Sequence, residues 1–199
     1  SIAERNYRPH ITCARITPDG KFLTASDVGL DQVKLYGFDA KTGAIKLVDI
    51  LRCELESSPR SMIFSPDGRF AYLICQLKNC VNVYTYNSDD GMPHFEMIQQ
   101  ISTLGKSYND KSAVAAIKQS VDGKYIFCSN AGDNSIAFFV RDEKTGMLTK
   151  NCVLPISGDY PKNMCIFPDN KHIASLNHES NEITSVSYTH LRAHETRSN

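Results

Sequence analysis

Two glycine landmarks recur through this chain at a fixed separation of 23 residues: Gly20 and Gly43, Gly68 and Gly91, Gly123 and Gly146. The first of each pair closes a turn, Thr17-Pro-Asp-Gly20, Ser65-Pro-Asp-Gly68 or Ser120-Val-Asp-Gly123, and Phe167-Pro-Asp-Asn170 continues the series. The aspartates stand at 19, 67, 122 and 169, at intervals of 48, 55 and 47. Proline presets the first central torsion of such a turn, and Gly or Asn accepts the positive φ that follows. The second glycine of each pair ends a polar hairpin loop, such as Asp39-Ala-Lys-Thr-Gly43 or Asp142-Glu-Lys-Thr-Gly146. Three equal spacings define a structural repeat rather than unrelated hairpins.

Strands fill the intervals. Val33 and Leu35, Val81 and Val83, and Ile136 and Phe138 alternate with polar or outward positions, and an aromatic follows each pair at Tyr36, Tyr84 and Phe139. Apolar alternation of this kind predicts half-buried strands. A further strand precedes each Pro-Asp-Gly (Met62-Ile-Phe64, Met164-Cys-Ile166), and another follows each Thr-Gly. No stretch has helical periodicity. Four strands per repeat of about fifty residues make the blade of a β-propeller, so the fold class is all-β. The 55-residue repeat carries its extra length near Leu104–Lys111, which reads as a lengthened loop that either borders a site or is neutral.

Composition excludes several partners. Lys plus Arg and Asp plus Glu both number 22, and without a basic surplus neither nucleic acid nor an anionic membrane is an expected partner. No apolar run reaches the roughly twenty residues of a membrane helix, and no signal peptide opens the chain. The seven cysteines form no Cys-x-x-Cys pair, which argues against a zinc site and for reduced thiols in a cytoplasm. Nothing in the pattern specifies an oligomeric state.

The fourth repeat departs from the pattern at its end. Ser185 stands at an expected apolar position and Ala193 where the second glycine is due. The stretch Val-Ser-Tyr-Thr-His-Leu-Arg-Ala-His-Glu-Thr196, reverse-translated, matches a transposon-end adapter of short-read library preparation. Residues 1–185 are therefore expected to form a partial propeller domain, with repeat turns near 18–20, 66–68, 121–123 and 168–170. Residues 186–199 are expected to be a non-native adapter-like tail in which His190 and His194 carry no function. About four blades fall short of a closed ring, so the chain is expected to be an internal piece of a longer protein.

The chain has no Trp, which disfavours a WD-repeat propeller. Four segments resemble a different family: Pro9-His-Ile-Thr-Cys13, Ala25-Ser-Asp-Val-Gly-Leu-Asp-Gln-Val33, Ser58-Pro-Arg-Ser61 and Ser129-Asn-Ala-Gly-Asp-Asn-Ser-Ile136. They resemble the lactonase family of seven-bladed propellers, which includes propeller-type 6-phosphogluconolactonases and fungal carboxymuconate-lactonising enzymes. The resemblance runs from Pro9 to about Thr184 and implies about four four-stranded antiparallel blades out of seven. It also implies hydrolysis of a small anionic sugar lactone, without metal or cofactor, at a site of Arg, His and Glu side chains. An Arg fork suits an anion, and a His or Glu can handle the proton of the attacking water.

Position by position the resemblance is partial. It assigns catalytic roles to His10, Arg60 and Gln76 and substrate binding to Asp27 and Lys162. Thr12 and Ser61 stand where the family has histidines, Gln76 where it has Glu, Ala131 where it has Arg, and Lys162 keeps a charge without the fork. Gln cannot act as a base. Each residue also has a plainer reading: Asp27 and Asp31 as strand-end hydrogen bonders, Arg60 as an ordinary ion-pair member, Lys162 as a solvated loop residue. His94, His172 and His178 belong to no motif and receive no role. A catalytically degenerate propeller that binds a small anion or a protein partner is the alternative function.

Overall fold

The computed structural model describes residues 8–106, 108 and 110–189. The chain forms two compact units, one running to Ser102 with Lys144–Met147 added, the other built from Thr103–Glu143 and the chain from Leu148 onward. In unit one, β1 (Ile11–Ile16), β2 (Phe22–Asp27), β3 (Gln32–Phe38) and β4 (Ile45–Arg52) form one antiparallel meander. A second comprises β5 (Pro59–Phe64), β6 (Phe70–Cys75), β7 (Cys80–Asn87) and β8 (His94–Ser102). In unit two, β9 (Val114–Gln119), β10 (Tyr125–Asn130), β11 (Ser135–Arg141) and β12 (Leu148–Pro155) form a third four-stranded sheet. The last sheet has three strands, β13 (Pro161–Ile166), β14 (His172–Asn177) and β15 (Glu182–Ser187). Ala193, where the second glycine of the repeat is due, lies outside the described residues, as do His190 and His194. Val186 and Ser187 lie in β15, and Tyr188 is fully buried.

The Pro-Asp-Gly turns form because one side chain closes them. Thr17 Oγ1 donates to Asp19 Oδ1 at 2.6 Å and accepts the Phe22 N–H at 3.0 Å, and Gly20 N–H donates to the Thr17 carbonyl. Ser65 with Asp67 and Ser120 with Asp122 repeat the device. The turn then needs a left-handed residue, supplied by Gly20 at φ 72°, Gly68 at 73°, Gly123 at 69° and Asn170 at 54°.

Antiparallel order sends these turns and the Thr-Gly loops to one end of each blade. The turns after the second strands, and the connectors to the next blade, lie at the other end. There Asp31, Asn79, Asn134 and Asn181 occupy one equivalent position, all left-handed at φ 48–54°, a conformation that Asp and Asn tolerate best among non-glycine residues.

Each unit packs its two blades first strand to first strand, β1 beside β5 and β9 beside β13. Between them lie apolar clusters: Val33, Leu35, Met62, Leu73 and Tyr84 in unit one, and Phe127, Ile136, Phe138, Met164 and Tyr188 in unit two. Each such side chain, fully buried, contributes about 1.5–3 kcal/mol. Simple alternation does not hold for the middle strands. Phe70-Ala-Tyr-Leu-Ile-Cys75 and Tyr125–Asn130 are buried at every position. Their near-continuous apolar runs are those of strands covered on both faces.

Candidate functional site

The first strand of every blade carries a bulge at the same point. Register slips between Ile11 and Cys13, Pro59 and Ser61, Val114 and Ala116, and Pro161 and Asn163. The extra residues are Thr12, Arg60, Ala115 and Lys162, each seven positions before the aspartate of its repeat turn. A bulge leaves one residue out of the ladder and re-aims its side chain, and bulges gather beside active sites. Proline at Pro59 and Pro161 suits this place, since no ladder hydrogen bond is required of it.

In the second blade the bulge brings together two of the residues singled out from the sequence. Arg60 Nη1 donates to Gln76 Oε1 at 2.8 Å, and both side chains are half-buried. Gln76 is the residue just past β6, and its N–H donates to the Ser58 carbonyl at 2.8 Å. Thr12, the bulged residue of the first blade, donates from Oγ1 to the Arg60 carbonyl at 2.7 Å. The two bulges of unit one are thus hydrogen-bonded across the blades.

His10 is exposed and lies at the same end, just before β1. Its N–H donates to Asp27 Oδ1 at 2.9 Å, its carbonyl accepts Val28 N–H, and its imidazole makes no hydrogen bond among the described residues. Asp27 is 0% exposed. Its Oδ1 also accepts the N–H groups of Gly29 and Leu30 at 3.1 Å, and Oδ2 faces Lys34 Nζ at 3.4 Å. That is a strand-end cap with its oxygens occupied by the protein itself. Asp31 plays a related part: its carboxylate accepts Glu56 N–H at 2.8 Å and Ser58 N–H at 2.7 Å, pinning the connector that leads into β5. The Asp31 charge also acts on Cys53, whose thiol is pushed up to about 12, first by burial and then by that carboxylate.

Unit two holds the remaining positions. Lys162 is the exposed bulged residue of β13. Ala131 is buried, and the lengthened loop lies against its turn: a Cβ on Gly132 would stand 2.8 Å from Ser112 Cα and closer still to the Lys111 carbonyl. The loop therefore packs beside the position where the resembled family has an arginine. His94 and His172 pair locally with Asp90 and Asp169 on exposed surfaces.

At the opposite end of unit one, a cleft of about 700 Å³ is lined by Asp19, Lys21, Asp67, Arg69, Phe70 and Tyr86, among others. Its polar groups serve one another. Tyr86 Oη donates to Asp19 Oδ2 at 2.9 Å, Ser88 Oγ does so at 2.5 Å, and Arg69 pairs with Asp67 at 2.8 Å. This cleft is a blade-to-blade seam, and we place the candidate site at the bulged end instead.

Sequence reasoning missed the bulges, because the extra residue leaves no mark in apolar alternation. The constant seven-residue distance to the turn aspartate was the available signal. It also gave no role to His178, which occupies the position equivalent to Gln76 in the fourth blade.

Antiparallel meander sheets packed first strand to first strand, with a common bulge in each first strand, define blades of a β-propeller. The chain belongs to the lactonase family of seven-bladed β-propellers, whose family model matches residues 2–191. It is 28% identical over 180 residues to the 6-phosphogluconolactonase of Bacillus subtilis, covering 90% of this chain and 50% of that protein. Among solved structures, the Pseudomonas aeruginosa periplasmic gluconolactonase superposes with a TM-score of 0.84 at 26% identity, over 92% of this chain and 51% of that one. A Bacteroides uniformis structure superposes at 0.83 with 31% identity, over 93% and 52%. The chain spans about half the length of the curated relative and of the two solved structures compared. No helix among the described residues is long and apolar enough to cross a membrane.

Proposed function

We propose that this chain supplies part of a lactone hydrolase acting on a sugar-derived lactone such as 6-phosphogluconolactone, with Arg60 as its principal anion contact. The observation that carries this reading is the Arg60–Gln76 hydrogen bond at the bulge of the second blade. Gln76 Oε1 accepts from one guanidinium nitrogen and so fixes the plane of the fork, and a planar fork recognises phosphate or carboxylate in a preferred direction. The Thr12 bond to the Arg60 carbonyl holds the backbone beneath it. Such a held cation stabilises the oxyanion that develops when water attacks the lactone carbonyl. His10, exposed at the same end, is the group able to move the proton of that water. Asp27 acts by holding the His10 backbone rather than by touching substrate. The names of the Bacillus and Pseudomonas relatives support the substrate class. The free thiols of the chain suit a reducing, cytoplasmic setting.

A binding-only propeller is the second reading, and Gln76 favours it. The amide that orients Arg60 cannot take a proton, so the site is better equipped to hold an anion than to activate water. Hydrolysis of a panel of sugar lactones by the purified protein separates the two. Acceleration of at least one lactone over its spontaneous opening supports the enzyme. Binding of the corresponding acid with no acceleration supports the binder.

A further inference from the structure

We propose that Tyr160, Lys162 and His178 form a second oxyanion subsite, within unit two, in which His178 is the pH-dependent member. This rests on the lactone-acid reading above and extends it from Lys162 to Tyr160 and His178, which carry no motif.

The argument begins from equivalence. Lys162 and Arg60 are both the bulged second residue of a first strand. His178 and Gln76 both follow the second strand, and the N–H of each donates to the carbonyl two residues before the bulged residue: His178 to Tyr160 at 2.9 Å, Gln76 to Ser58 at 2.8 Å. Sixteen positions separate the side chains in each pair. In the second blade this backbone brings the two side chains to 2.8 Å. The fourth blade thus offers an ammonium at the position of the guanidinium and an imidazole at the position of the amide.

The change of residue types alters what the place can bind. Arg60 and Gln76 satisfy each other as donor and acceptor. Lys has three donors and no acceptor, and a protonated His has two donors and no acceptor. Neither a lysine nor a protonated histidine offers the other an acceptor, so both keep donors for a phosphate or carboxylate oxygen.

The frame around it is fixed. Tyr160 is left-handed at φ 60°, a conformation that an aromatic residue keeps only where the surroundings impose it. Here they do: Tyr160 N–H donates to Asn134 Oδ1 at 2.8 Å, Asp159 N–H to Ser180 Oγ at 3.0 Å, and Glu179 N–H to the Asp159 carbonyl at 3.2 Å. The Tyr160 ring stands 6.3 Å from the His178 ring at 58°. The titratable residues on the flanking elements are Lys162 on β13, Asp159 on the connector before it, Glu179 next to His178 in the chain and Glu182 at the start of β15. Asp159 Oδ1 is engaged by Asn134 Nδ2 at 2.8 Å. Glu179 and Glu182 are exposed.

The test is calorimetric binding of 6-phosphogluconate, D-gluconate and inorganic phosphate between pH 6 and 8, with the His178 imidazole followed by NMR. The expected result is affinity for at least one anion that falls about tenfold from pH 6 to 8, the size of one charge-assisted hydrogen bond, with the His178 titration moved upward by the ligand. Gluconate binding alone identifies the carboxylate as the group held, and phosphate binding alone identifies the phosphate. His178→Gln, a surface change whose folding is checked by its melting curve, should lose the pH slope, and Lys162→Ala should lose affinity at both pH values. A His178→Gln protein that keeps the wild-type affinity and slope while Arg60→Ala abolishes binding overturns the subsite and leaves the Arg60 reading standing. The reverse pattern supports the subsite and sinks the Arg60 reading. A wild-type protein that binds none of the three anions overturns the subsite.

Discussion

Arg60 and Gln76, sixteen residues apart, meet through a 2.8 Å hydrogen bond because a bulge in β5 turns the arginine toward the residue that ends β6. The amide acts as an orienting acceptor where the resembled family carries a carboxylate. Gln76→Glu keeps the geometry and adds a proton acceptor. It should raise lactone hydrolysis by about 10²-fold, the lower range for general-base assistance. The thermal midpoint should stay close to wild type, because a half-exposed ion pair adds only about 0–1 kcal/mol. Initial rates and melting curves of the two proteins check both halves of the expectation.

Asp31 is the staple of the first connector. Its carboxylate holds the N–H groups of Glu56 and Ser58 while its own backbone is left-handed at φ 51°. Asp31→Ala leaves those donors without the carboxylate and puts alanine in a conformation it avoids. We expect a loss of about 2–4 kcal/mol, read as a lower urea midpoint. Asp31→Asn should cost far less, since Asn79, Asn134 and Asn181 occupy the equivalent positions.

Asp19 makes unit one sensitive to acid. Burial pushes its carboxyl up, but hydrogen bonds from Ser88, Thr17, the Lys21 N–H and Tyr86 outweigh that and bring it to about 2. A folded value below the unfolded 3.8 stabilises the protein above pH ~4 and loses that contribution as pH falls toward 2. Because the group is largely exposed, the contribution is about 1 kcal/mol. The stability difference between wild type and Asp19→Asn, measured by denaturant at several pH values, should shrink over that window. Equal differences at pH 2 and pH 6 would contradict the assignment.

The thiols should divide by environment. Cys165 is exposed, while Cys53 is raised to about 12 and Cys75 is raised further, chiefly by its contact with Cys80 and by burial. The thiolate is the reacting form. A disulfide reagent at pH 8 should therefore label Cys165 in a fast phase and reach Cys53 and Cys75 only after unfolding, as peptide mapping would show.

Much of the fold was legible because its turns are chemically marked. The hydroxyl-Pro-Asp-Gly closure and the polar Thr-Gly loops each demand particular residues, so their spacing alone reported four repeats. Burial was less legible. Phe70–Cys75 lies inside on both faces, and alternation cannot be read from a run that is apolar throughout. The family motifs drew attention to Arg60 and Gln76, and the structure adds that a bulge brings the two together. Asp27 drew the same attention, and the structure places it as a buried cap. His178 escaped because the residue it contacts, Tyr160, lies 18 residues earlier. Only the comparison of blades reveals that it occupies the position of Gln76.

The central claim is that the Arg60 guanidinium meets the charge of the substrate. Its most direct test is kcat/KM for 6-phosphogluconolactone, corrected for spontaneous opening, in wild type, Arg60→Lys and Arg60→Ala. The account predicts a loss of about 10²–10³-fold in Arg60→Ala, the scale of one lost oxyanion contact, with Arg60→Lys in between because it keeps the charge without the fork. Equal values in all three proteins, with melting curves unchanged, would contradict it.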